Sequence, residues 1–91
     1  MQMLTKQNEK DLGKKVIKFF TPWSNWSWYV TEGEQESNGD WLFFGFVEGM
    51  EREWGNFRLS ELTSVTGPMG LKIERDRWFD TPVTEFSTEN V

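Results

Sequence analysis

Ninety-one residues make a single domain, and 10 Lys and Arg against 15 Asp and Glu give a net charge of −5. The chain has no His and no Cys, which excludes Ser–His–Asp and Cys–His catalysis, thiolate- or imidazole-bound zinc and disulfide staples. The acidic balance argues against a conventional nucleic-acid binder, whose affinity comes from neutralising phosphates.

The charge is uneven: residues 1–20 sum to +3, residues 31–53 to −6 and residues 54–91 to −2. Six Trp, eight Phe and one Tyr carry much of the apolar content. At roughly 200 Å² each they account for about 3,000 Å² of the roughly 10,000 Å² that a chain of this mass removes from water. Their number alone therefore does not require a ligand site. No apolar run approaches the ~20 residues of a membrane span, and residues 1–13 lack the apolar stretch of a signal peptide. A bacterial cytoplasm is the expected location.

In chain order, Lys6–Leu12 reads as a short helix, with Thr5 as N-cap and Gly13 as stop. Lys14–Phe20 is β-branched and aromatic and ends at Thr21-Pro22, the mark of a strand. In Trp26–Glu32, Trp26, Trp28 and Val30 alternate with Ser27, Tyr29 and Thr31, a period of two that places the tryptophans on one, core-facing side. Trp23 stands outside that period, in the Pro22–Asn25 connection.

Polar residues then lead to the Asn38-Gly39 turn. Trp41–Val47 is apolar on both faces, as in a central strand. A two-residue turn at Glu48-Gly49 sets Met50–Leu59 beside it, with Phe43 facing Trp54, Trp41 facing Asn56 and Gly45 facing Arg52. Ser60 is expected to cap a short helix over 60–65, which Gly67–Gly70 ends. Leu71–Phe79 is a further strand, and Thr81-Pro82 opens a C-terminal helix through Val83 and Phe86. The expected fold is α+β: one domain, a mostly antiparallel sheet of about five strands, and short N-terminal, middle and C-terminal helices. Its compact core covers about residues 4–86, with 87–91 as a flexible tail.

Three constellations invite chemistry. Glu34, Glu36, Asn38, Gly39 and Asp40 imitate the first half of a calcium loop, but its twelfth position is Gly45, which has no carboxylate. A solvated hairpin loop is the better reading, and neither a metal nor another cofactor is expected. Glu74 and Asp76 lie two residues apart on one strand face, roughly 7 Å, the spacing of paired glycosidase acids. Arg75 and Arg77 interleave with them, so surface ion pairs are the better reading there too. Third, the aromatics of 23–28 can stack bases or sugars, although the next charges, Glu32 and Glu34, are acidic. Core packing is the expected use of Trp26 and Trp28. Trp23, in a loop after Pro22, either lids the core or faces a partner, and it is carried forward as a candidate partner contact.

The stretches KFFTPWSNWSWYVTEGE, GDWLFFGFVEGMEREWGNFRLSEL and GPMGLKIERDRWF, in this order and spacing, resemble a domain-of-unknown-function family of small proteins. Members similar to this chain are encoded on bacteriophages, plasmids and integrative conjugative elements. The resemblance covers residues 4–85 and carries over no catalytic or ligand-binding residue. What it implies is an accessory role on a mobile element, the class to which small inhibitors of host defence nucleases belong.

The expectation is therefore a non-catalytic protein-binding module that inhibits a host defence complex such as a CRISPR or restriction nuclease. Trp23, Asn25, Glu34, Glu36 and Asp40 are its candidate partner-binding residues. Self-association through an edge strand is compatible with it, whereas direct nucleic-acid binding and a membrane role are not expected. The alternatives are a single-strand-binding accessory protein and a small hydrolase using Glu74 and Asp76.

Overall fold

The structure, a computed structural model, describes residues 13–91. The expected first helix, residues 6–12, lies outside the described residues. The regular elements are β1 (Ile17–Phe20), β2 (Ser27–Gln35), β3 (Trp41–Glu48), β4 (Arg52–Arg58), the helix α1 (Leu59–Ser64) and β5 (Glu74–Arg75). Short 3-10 turns follow α1 at Pro68–Gly70 and β5 at Val83–Glu85 and Thr88–Asn90. The strands form one sheet in the order β4-β3-β2-β1-β5, each neighbouring pair antiparallel.

Strand periodicity gives this sheet two buried faces. One carries Ile17, Phe19, Val30, Phe43 and Phe57, closed by Leu62 of α1 and by Ile73. The other carries Val16, Tyr29 and Phe46, covered by Phe79, Val83, Phe86 and Val91 from the C-terminal segment. The helix and the chain end thus sandwich the sheet. The segment that the sequence suggests as a tail places Val91 against this second cluster.

The β3–β4 register differs from the expected one. Phe43 pairs with Phe57, Gly45 with Gly55 and Phe46 with Trp54, because a three-residue loop, closed by a hydrogen bond from the Gly49 amide to the Glu51 carbonyl at 3.0 Å, replaces the two-residue turn. Trp54 consequently belongs to the second face, 5.5 Å from Phe46 between ring centroids, and Asn56 lies opposite Phe44 rather than Trp41. Between Val30 and Glu32 the β2–β3 register slips by one. Thr31 is the extra residue of this β-bulge; it is buried, and its hydroxyl donates to the Phe44 carbonyl at 3.1 Å.

Two more elements are shorter than expected. Of the strand expected over 71–79, only Glu74 and Arg75 pair with β1, at Phe20 and Phe19. The C-terminal helix is replaced by the two 3-10 turns. Helix α1 is capped without its own Ser60. The N-cap position is Arg58, whose amide donates to the Glu61 carboxylate at 3.0 Å, and Asp40 reaches in from the β2–β3 hairpin to accept the Ser60 amide at 3.1 Å. Both bonds satisfy amide groups that the first helical turn leaves open.

Candidate functional site

Between β1 and β2 the chain turns at Thr21-Pro22-Trp23-Ser24, where the Ser24 amide donates to the Thr21 carbonyl at 3.3 Å. Proline suits the second position of such a turn because its φ is already fixed. The buried Thr21 side chain locks the loop: its Oγ1 accepts the Trp26 amide at 3.2 Å and lies 2.6 Å from the Ser24 hydroxyl. Trp26 therefore leaves the turn in a set direction.

Three indoles and Val65 line an apolar groove of about 340 Å³ beside this turn. Trp28 is half-buried against the first core cluster. Trp26 stacks on it at 5.9 Å between centroids and 26° between planes. Its other neighbour is Gly49, where even a Cβ would lie 2.3 Å from the indole. Trp23 forms the remaining wall, half-buried and packed on the same core cluster. Core packing, expected of both Trp26 and Trp28, holds only for Trp28: Trp26 keeps 39% of its surface in solvent. Its alternation is right, but its place just before β2 puts it beyond the packed layers. Trp26 also borders a second, polar cleft of about 410 Å³ that includes Lys18, Asn25, Glu48 and Asp76.

The five candidate residues fall into two groups. Trp23 and the exposed Asn25 lie at the start of β2, whereas Glu34, Glu36 and Asp40 lie at its far end, roughly 25 Å along the strand. At that far end two of the three acids are engaged within the fold. Glu36 receives Arg58 Nε at 2.8 Å, which holds the Arg58 guanidinium above its ordinary pKa. Asp40 accepts the Ser60 hydroxyl at 2.6 Å and the Trp41 amide at 2.8 Å, and the Ser60 hydrogen bond holds its carboxyl below the ordinary value. Glu34 is exposed and, with Glu32, edges a shallow depression over Leu42, Phe44 and Asn56.

Asp76 sits 3.7 Å from Lys18 Nζ, and its Oδ1 accepts the Trp78 amide at 2.9 Å. Trp78 itself is 94% exposed; reading 71–79 as one strand hides this, since a strand residue is half-buried by default.

A family model described as "Protein of unknown function (DUF2958)" matches residues 1–88. The chain belongs to this family. Membership agrees with the resemblance carried by the three long motifs, and the match spans both the groove and the acidic hairpin. Neither curated proteins nor solved structures yield a match. Among the described residues no helix is long and apolar enough to cross a membrane.

Proposed function

We propose that this domain is a non-catalytic protein-binding module that receives an apolar side chain of its partner in the tryptophan groove. The observation that carries the reading is Trp26, stacked on Trp28 and yet 39% exposed. An indole fixed in this way loses little conformational freedom on binding and offers a large contact area, the properties of an interface anchor. The half-buried Trp23 gives the groove a rigid wall, and the exposed Ser24 supplies a polar rim, while Asn25 lines the neighbouring polar cleft.

The reading extends to an accessory role on a mobile element in a bacterial cytoplasm, with a host defence complex as partner. Two observations support that extension: the resemblance to small phage- and plasmid-encoded proteins, and the exposed acids Glu32, Glu34, Glu51 and Glu53. Complexes that hold nucleic acid in basic channels present the complementary charge.

The test begins with an affinity capture from host lysate and purification of the captured protein. Its affinity is then measured for the wild type and for Trp26→Ala. The variant gives up the stack on Trp28 and should lose about 1–2 kcal/mol of stability while remaining folded, and it should bind at least about tenfold more weakly. Equal affinity would overturn the groove as interface. Saturable binding of a single-stranded oligonucleotide that weakens steeply with salt would replace this reading with strand binding.

A further inference from the structure

After Asp76 the chain leaves the edge of β1 and returns five residues later, at Thr81. The Asp76 amide still reaches the Lys18 carbonyl at 2.8 Å, and the Thr81 carbonyl accepts the Val16 amide at 2.9 Å. Arg77–Asp80 bridge the interval as an outward detour, and a gap of about 240 Å³ opens beside β1. Ile17 and Phe79 are among its apolar lining, and Lys15, Arg75, Arg77 and Asp80 are its charged residues. Three cations thus meet one carboxylate, in a chain whose net charge is −5.

The acid at this gap is already used, since Asp80 pairs with Lys15 at 2.9 Å. Asp76, the other nearby carboxylate, faces Lys18. Among the described residues neither Arg75 nor Arg77 forms an ion pair. Arg75 Nε is moreover buried with no hydrogen-bond partner. A buried charged donor without an acceptor is costly, and native structures rarely keep one.

We propose that this gap is an oxyanion-binding pocket in which Arg75 and Arg77 grip a phosphate or carboxylate group. A guanidinium presents parallel N–H donors that match either group. The gap is below the roughly 300–1,000 Å³ of drug-sized ligand sites, so it accommodates a free anion or the terminal oxyanion of a larger molecule. The pocket is separate from the tryptophan groove and does not rest on the function proposed for it.

The Arg75 side-chain Nε–Hε resonance reports the site directly. Inorganic phosphate and acetate are titrated separately, with sodium chloride at matched ionic strength as the reference. The Arg75 signal should move saturably at millimolar anion. Arg77→Gln, a change at an exposed residue, should weaken that binding at least about tenfold without altering the melting temperature. Tighter phosphate would assign a phosphoryl-bearing ligand and tighter acetate a carboxylate-bearing one, and either sustains the pocket. An Arg75 signal that follows ionic strength alone, or equal binding by Arg77→Gln, would overturn it.

Discussion

The indole of Trp23 covers Gly67 so closely that a Cβ on the glycine would lie 2.4 Å from the ring. This contact joins the β1–β2 turn to the segment that follows α1, and it makes Trp23 part of the fold as well as a wall of the groove. Gly67→Ala should force the ring aside at a cost of about 1–3 kcal/mol. Trp23→Ala should lose about 2 kcal/mol, less than a fully buried Trp because the side chain is only half-buried. In a domain of this size each kcal/mol corresponds to roughly 4–8 °C in the melting temperature. Thermal denaturation of both variants checks the pair, and wild-type melting of Gly67→Ala would mean that the contact does not constrain the turn.

Gly45 is the more sensitive glycine. A Cβ there would sit 1.9 Å from the backbone carbonyl oxygen of Tyr29, and backbone in the middle of a sheet has no rotamer by which to escape. Gly45 pairs with Val30 next to the bulge at Thr31, and Gly55 occupies the opposing place on β4. Gly45→Ala should therefore cost 3 kcal/mol or more, roughly the upper end of overpacking. Gly55→Ala should be mild, because nothing lies within 4 Å of the Cβ it would add. Urea unfolding of the two variants side by side tests the contrast, and comparable losses would contradict this packing.

Much of the sheet was legible because alternation reports a face directly: Trp28 and Val30 point one way and Tyr29 the other. Register was not legible, because Glu48-Gly49 fits a two-residue turn as well as it fits the start of the three-residue loop. What favours the longer loop is long-range, with the Trp26 indole lying over Gly49. The strand expected over 71–79 failed for a related reason. Its residues have strand character, but ladder pairing with β1 is confined to Phe19 and Phe20. A single bond from the Asp76 amide to the Lys18 carbonyl follows, and Arg77–Asp80 then detour before the chain rejoins the edge at Thr81. Of the candidate site, Trp23 and Asn25 do lie together at the turn. The difference between Trp26 and Trp28 was invisible, since both occupy the same phase of one alternation and only the sheet boundary separates them.

Asp40 ties the β2–β3 hairpin to α1, and its acid titration should reveal the tie. Its pKa lies below the ordinary 3.8, with the Ser60 side-chain hydrogen bond as the largest cause. A depressed folded-state pKa stabilises the fold above the unfolded value, and that contribution is lost as pH falls through the folded one. The relevant window therefore lies below about pH 4. Ser60→Ala removes the leading cause and should move the Asp40 carboxyl back toward its ordinary value. Carboxyl carbon NMR titrations of wild type and variant decide the matter, and superimposable Asp40 curves would show that the Ser60 hydroxyl does not favour the charged form.

The C-terminal segment should behave as a separable cover over the second face of the sheet. Phe86 meets Tyr29 at 5.4 Å and Trp54 edge-on at 6.0 Å. Arg52, whose guanidinium lies 5.2 Å from the Phe46 ring centroid, donates to the Thr88 and Val91 carbonyls at 2.6 and 3.0 Å. The first face, closed by Leu62 and Ile73, shares none of these contacts. Phe86→Ala should consequently cost about 2 kcal/mol for a half-buried ring and loosen residues 83–91 before the strands. Native-state hydrogen exchange resolves the two layers. Amides of the cover should exchange through a local opening made easier by the substitution, while β2 and β3 amides exchange only through global unfolding. Exposure of Tyr29 and Phe46 in the opened form should also raise the binding of a hydrophobic dye. If amides of the cover and of the central strands instead shared one opening free energy in the variant, the segment would be an inseparable part of the core rather than a cover over it.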